Sequence, residues 1–147
     1  MEQSLVVYSK EIVDYGVIGV LALMSLVSLW LFIERMMFYK TVDVKNFKSY
    51  DELDIKLTDN LNTISTIGAN APYIGLLGTV FGIMITFYSM GDVATIDPKE
   101  IMRGLALALK ATAMGLIVAI PAIVFYNILL RKVEKILAKF EMENGEA

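Results

Sequence analysis

The sequence of 147 residues contains no cysteine and no histidine. Their absence excludes disulfides, thiol nucleophiles, and the usual haem, zinc and copper sites. Lysine and arginine form no basic run, and the net charge is −3, so we expect no nucleic-acid partner. No nucleophile–base pair or cluster of metal ligands is apparent either. We therefore predict a protein that is not an enzyme and that holds no metal or cofactor.

Hydrophobic residues, in contrast, make up 56% of the chain. Uncharged stretches cover residues 16–33, 65–91 and 111–130, and each reaches the ~20 residues that cross a bilayer as a helix. The acidic residues Glu2, Glu11 and Asp14 precede the first stretch, so we read it as a retained helix rather than a signal peptide. The sequence predicts one all-α, polytopic membrane domain over 1–147, in contact with lipid, with spans near 16–33, 65–91 and 104–130.

The distribution of basic residues predicts the orientation of these spans. Nine lysines and arginines lie in segments 34–64 and 131–147, against four on the other side. The nine are Arg35, Lys40, Lys45, Lys48, Lys56, Arg131, Lys132, Lys135 and Lys139, and the four are Lys10, Lys99, Arg103 and Lys110. The positive-inside rule therefore places 34–64 and 131–147 in the cytoplasm and the N-terminus outside.

Both predicted cytoplasmic segments have helical periodicity. One apolar stripe on a helix running into the second span is formed by Leu53, Leu57, Leu61, Ile64 and Ile67, and the tail repeats it with Val133, Ile136, Leu137 and Phe140. We expect the second and third spans to form a long hairpin that extends into the cytoplasm, its helices packed within one subunit. The hairpin should turn near 91–96, because Asp97-Pro98-Lys99-Glu100 is a typical helix start.

A stripe of small and hydroxyl residues follows one face of the second span. Its members alternate at spacings of four and three: Gly68, Pro72, Gly75, Thr79, Gly82, Thr86 and Ser89. The third span has a related face in Gly104, Ala108, Ala111, Gly115, Ala119 and Ala122. Such faces either let helices approach closely within one subunit or line a cavity, and the pattern leaves both alternatives open.

Two threonines should lie at the same depth in this hairpin. If the chain reverses near residue 95, Thr79 and Thr112 are each about 25 Å from the tip at ~1.5 Å per residue. A buried threonine commonly bonds the carbonyl four residues earlier in its own helix. The alternative is a polar level that an oligomer would repeat as a ring.

Two motifs in these spans resemble the ExbB/TolQ proteins, relatives of the flagellar stator subunit MotA. Residues 71–82 read APYIGLLGTVFG, residues 111–122 read ATAMGLIVAIPA, and Tyr126-Asn127 follows. Together these segments carry the resemblance over about half of the chain. The resemblance implies an inner-membrane homo-oligomeric ring, a pentamer, around the single transmembrane helices of an ExbD-like partner.

The resemblance also implies a function. Proton flow through the complex would drive a TonB-like protein that spans the periplasm and energises outer-membrane import. Thr79 and Thr112 fall on the family's two lumen threonines, so a proton path along them is expected. A TolQ-like subunit of the envelope-integrity system remains an alternative, as does a stand-alone oligomeric channel or scaffold.

The sequence departs from the family pattern at two places. Many relatives carry a glutamate five residues before the second threonine, where this chain has Leu107, and segment 34–64 is shorter than in the longer relatives. Lys110 lies near the predicted level of Thr79 but about 160° around the helix from Thr112. A charge at that depth is costly, so we expect Lys110 at a subunit interface or on the outward face.

Overall fold

A computed structural model describes residues 1–91 and 97–144, and four α-helices account for most of them. They are α1 (Glu2–Thr41), α2 (Tyr50–Leu57), α3 (Leu61–Met90) and α4 (Pro98–Asn144), with a short 3-10 turn at Val44–Asn46. No strand occurs in these described ranges. The predicted all-α class is confirmed.

Three of these helices are long and apolar enough to cross a membrane: α1, α3 and α4. Large apolar side chains remain exposed along them, as shown by Leu23, Leu26 and Trp30 of α1, which are 63%, 65% and 69% exposed. Exposed apolar side chains of this size are expected where a helix faces lipid. The predicted three-helix membrane architecture is confirmed, whereas the membrane boundaries and the side on which each terminus lies stay predictions.

Helix α4 begins where the sequence predicts. The Asp97 Oδ1 atom accepts a hydrogen bond from the Lys99 backbone N–H at 3.0 Å, and Pro98 takes the first helical position. The carboxylate thereby satisfies a backbone donor that has no partner within the helix. Of the predicted turn at 91–96, residues 92–96 lie outside the described residues.

The chain divides into two packed units, each built from parts of the long helices. The first unit contains residues 1–24 and 69–119, and the second contains residues 25–68 and 120–147. In the second unit the two predicted stripes meet in one core, as expected for packing within one subunit. Buried members of this core include Leu53, Leu57, Leu61, Ile64, Leu129, Val133, Leu137 and Phe140.

The prediction of one continuous helix through the first stripe is wrong. Helix α2 ends at Leu57, α3 begins at Leu61, and Asn60 between them has a left-handed φ of 67°. Asparagine tolerates this conformation better than most residues with a side chain. The elbow nevertheless preserves the four-residue step from Leu57 to Leu61, and both leucines are buried.

Two side chains of α1 bind the end of α2. Arg35 donates from Nη1 to the Lys56 carbonyl at 3.0 Å, and the Tyr39 hydroxyl donates to the Leu57 carbonyl at 2.6 Å. Carbonyls in the last turn of a helix lack partners within the helix. Arg35 is also paired with Glu34 and lies 4.5 Å from the centroid of the Phe38 ring. These contacts fasten the short helix to α1.

Candidate functional site

Helices α3 and α4 of the first unit approach so closely that their backbones touch. A Cβ atom placed on Gly75 would lie 2.6 Å from the Ala111 carbonyl oxygen, and one on Gly115 would lie 2.7 Å from the Ala71 carbonyl oxygen. Both distances are shorter than a van der Waals contact, and the obstructing atoms are backbone. Glycine is therefore required at both positions by the approach of the two helices.

Three further glycines of the two small-residue faces pack against side chains of the opposite helix. A Cβ atom on Gly82 would lie 2.9 Å from the Ala108 Cβ, and one on Gly104 would lie 2.7 Å from the Thr86 side chain. In the second unit, a Cβ atom on Gly68 would lie 2.9 Å from Ile123 Cγ1. Each of these glycines therefore packs against the opposite helix of the same chain.

The two candidate threonines meet inside this packed face. Thr79 is buried, and its Oγ1 atom lies 2.8 Å from the Ala108 carbonyl oxygen of α4 and 3.3 Å from the Gly75 carbonyl oxygen of its own helix. Its hydroxyl also forms a hydrogen bond with the Thr112 hydroxyl. The expectation that both threonines lie at one level is confirmed, and the bond within the helix is the longer of the Thr79 carbonyl contacts.

The direction of these bonds follows from counting protons. A threonine hydroxyl has one proton and two acceptor lone pairs. The Ala108 carbonyl can only accept, so when the Thr79 proton is directed to it, the Thr112 hydroxyl donates to Thr79 Oγ1. Thr112 is only partly buried, so its own oxygen keeps acceptor capacity for a group from outside the chain. The pair thus presents Thr112 as an acceptor whose orientation is fixed by Thr79.

The remaining hydroxyls of the stripe differ from this pair. Thr86 is buried and donates to the Gly82 carbonyl at 2.8 Å, and Ser89 donates to the Thr86 carbonyl at 2.8 Å. Both bonds stay within α3. Pro72 is half-buried inside α3, which continues through it. Unlike these two, the Thr79 hydroxyl bonds to groups of the opposite helix, the Ala108 carbonyl and the Thr112 hydroxyl.

Lys110 occupies a different face of α4. Its side chain is exposed, and it lines a cleft with Glu11 and Asp14 of α1. In the sequence these two carboxylates only flank the first predicted span. Their proximity to Lys110 depends on how α1 packs against α4, which no local pattern reports. Leu107, five residues before Thr112, is 41% exposed.

Comparison with known proteins gives the same family by two routes, a family model and individual relatives. A family model described as the MotA/TolQ/ExbB proton channel family matches residues 40–142. The protein from Aquifex aeolicus named biopolymer transport protein ExbB is 53% identical over 137 residues, covering 93% of each chain. A Helicobacter pylori protein of the same name is 51% identical over 133 residues, covering 90% of this chain and 92% of that one.

Longer relatives match only in part. The Salmonella typhimurium protein named biopolymer transport protein ExbB is 47% identical over 70 residues, which are 48% of this chain and 29% of that protein. The chain thus aligns along nearly its whole length with relatives of similar length and over about half of its length with longer ones.

Proposed function

The chain belongs to the MotA/TolQ/ExbB proton channel family, and on this premise we propose that it is the ExbB-like subunit of a motor complex driven by the proton motive force. The complex lies in the bacterial inner membrane, with the N-terminus of this subunit in the periplasm and its C-terminus in the cytoplasm. A pentameric ring of the chain encloses the single-span helices of an ExbD-like partner. The assembly energises a TonB-like protein for import across the outer membrane.

The bond between Thr79 and Thr112 is the observation that carries this proposal. The chain places no carboxylate in the uncharged stretches 16–33, 65–91 or 111–130, so the titrating group must come from the partner. Thr112 can accept a hydrogen bond from a protonated partner carboxyl or from a water molecule that serves it. Thr79, held by Ala108, fixes the orientation of that acceptor.

The energy available suits stepwise motion. Moving one proton through ~100 mV releases ~2.3 kcal/mol, enough to bias two states of a partner helix that differ by a few kcal/mol. Proton binding at the partner carboxyl changes its charge and hence its hydrogen bonding to Thr112. Repeated binding and release would therefore drive repeated changes in the position of the partner helix.

The printed names of relatives that match over nearly the whole chain favour the ExbB-like role over the TolQ-like one. Two proteins named ExbB align over 90% or more of this chain at 51–53% identity. The stand-alone channel differs from the motor in its conductance. A channel would conduct ions without a partner, whereas the ring of the motor conducts few protons until an ExbD-like helix occupies it.

The first experiment is co-expression with a candidate ExbD-like protein, purification in detergent, and native mass spectrometry. We expect a complex of several copies of this chain with partner helices, and proton flux in liposomes only from that complex. A partner-free oligomer that conducts ions on its own would overturn the motor and support the channel.

The threonine pair is tested by isosteric substitution. Thr112→Val and the double variant Thr79→Val/Thr112→Val should reduce proton-driven activity about 100-fold or more, the scale of a lost proton-handling group, while the oligomer persists. The matched variant Thr86→Val removes a hydroxyl that bonds only within α3, and it should retain most activity. Full activity in the double variant, measured as flux and as energised import, would contradict the role of the pair.

A further inference from the structure

A cleft with mixed charge lies between α1 and α4 of the first unit. Its volume is about 190 Å³. The cleft is lined by Glu11, Asp14, Tyr15, Val17, Ile18, Leu107, Lys110, Ala111 and Met114. It thus combines two carboxylates, one ammonium and one phenol with an apolar remainder. None of these side chains belongs to the threonine pair.

The charges of this cleft lie where the uncharged stretches begin. Asp14 precedes the stretch 16–33 of α1, and Lys110 immediately precedes the stretch 111–130 of α4. The apolar lining residues Val17, Ile18 and Met114 fall within those stretches. On α1 the charged residues that precede this stretch end at Asp14, and on α4 Lys110 is the one charge between the uncharged residues 104–109 and 111–130, so a polar level crosses both helices at this cleft. We take this level as the one at which α1 enters the bilayer.

The charged groups are available to a ligand. In the described part of the chain, no salt bridge joins Lys110 to Glu11 or to Asp14. The Lys110 side chain is exposed, so its ammonium keeps its three donors for a group outside the chain. Tyr15 is 74% exposed beside them, the kind of amphipathic ring that is enriched at membrane interfaces.

We propose that this cleft binds the headgroup of a zwitterionic phospholipid that carries a primary amine. Lys110 pairs with the lipid phosphate, Glu11 and Asp14 accept hydrogen bonds from the lipid ammonium, and an acyl chain follows Val17, Ile18 and Met114. Two carboxylates against one ammonium disfavour a purely anionic headgroup. A primary amine is preferred over a quaternary one because only the primary amine donates hydrogen bonds to carboxylates.

Lipid retention by the full-length chain tests this assignment. The protein is delipidated in detergent and exchanged against vesicles containing equal amounts of phosphatidylethanolamine, phosphatidylglycerol and phosphatidylcholine, and native mass spectrometry then counts the retained lipids. We expect about fivefold preference for phosphatidylethanolamine over each of the others, the scale of an exposed charge pair. Soluble phosphoethanolamine offered alone should not be retained, and its retention would overturn the lipid assignment.

Variants separate the roles of the two charge types. Lys110→Met should reduce retention of phosphatidylethanolamine, whereas Glu11→Gln/Asp14→Asn should reverse the preference toward phosphatidylglycerol, because only the cation then remains. The control Lys99→Met removes a lysine of α4 that does not line the cleft, and it should leave the preference unchanged. Equal retention of the three lipids by the unmodified chain, or a preference that neither variant alters, would overturn the proposal. Loss of folding cannot imitate a reversed preference.

Discussion

Each of the two units is stabilised internally by a different kind of side chain. In the part of the chain that the structure describes, five of the six largest fully buried side chains lie in the second unit: Leu53, Leu57, Ile64, Leu129 and Val133. In the first unit only Leu21 belongs to that group, and the interface between α3 and α4 is made of glycine, alanine and threonine. The second unit is packed like the core of a water-soluble protein, and the first is packed by close approach of backbones.

The difference has a physical cause. In water, burying large aliphatic side chains stabilises a core by removing apolar surface from the solvent. Within lipid that driving force between helices is absent, so van der Waals contact between close backbones and hydrogen bonds between helices must replace it. The packing of the first unit is therefore the one suited to a bilayer, and its threonine bond contributes to helix association as well as to the proposed proton path.

The largest expected effect comes from removing an aliphatic side chain from the second unit. Leu57 is fully buried, so Leu57→Ala should lower the free energy of unfolding by about 2–5 kcal/mol through lost burial and a residual cavity. Ile55 lies on the same short helix and is 71% exposed, so Ile55→Ala is the matched control. Denaturant titration of the purified protein in detergent measures both. Equal losses in the two variants would contradict a water-soluble type of core in this unit.

Adding a single methyl group should damage the first unit to a somewhat smaller extent. Gly75→Ala forces a Cβ atom against the Ala111 carbonyl, and the helices must separate at a cost of about 1–3 kcal/mol. Gly19→Ala is the control, because a Cβ atom there meets nothing within 4 Å. Alanine is also the better helix former, so this control should gain up to about 1 kcal/mol. In thermal unfolding in detergent, the Tm of Gly75→Ala should lie below that of the unmodified protein and the Tm of Gly19→Ala above it.

Much of this contrast could be predicted from the sequence, because it follows from local periodicity. The stripe through Leu53 and Leu57, the start of α4 at Asp97 and the shared level of Thr79 and Thr112 all depend on spacing along a helix. The elbow at Asn60 could not be predicted from that spacing. The four-residue step between leucines continues across the break, so the apolar period shows no interruption.

Contacts between helices that are distant in sequence could not be predicted from local patterns either. The Arg35 side chain donates to a backbone carbonyl, an acceptor that every residue carries, so the sequence does not indicate which one it meets. The cleft formed by Glu11, Asp14 and Lys110 requires the packing of α1 against α4 to be known. In both cases the partner is selected by tertiary structure rather than by the pattern of residue types.

The smallest of these effects concerns the hydroxyl group that anchors α2. The Tyr39 hydroxyl is buried and donates to the Leu57 carbonyl at 2.6 Å, so Tyr39→Phe leaves that acceptor unpaired and should cost about 1 kcal/mol, while the ring keeps its packing. Tyr126 packs against the same core, but its hydroxyl forms no hydrogen bond with residues 1–91 or 97–144, which makes Tyr126→Phe the matched control. Hydrogen exchange distinguishes the two variants further, because Tyr39→Phe should raise exchange selectively in the amides of α2. Unchanged exchange there would show that the Tyr39 hydrogen bond does not hold α2 in place. The short helix would then be held by burial of its apolar side chains alone.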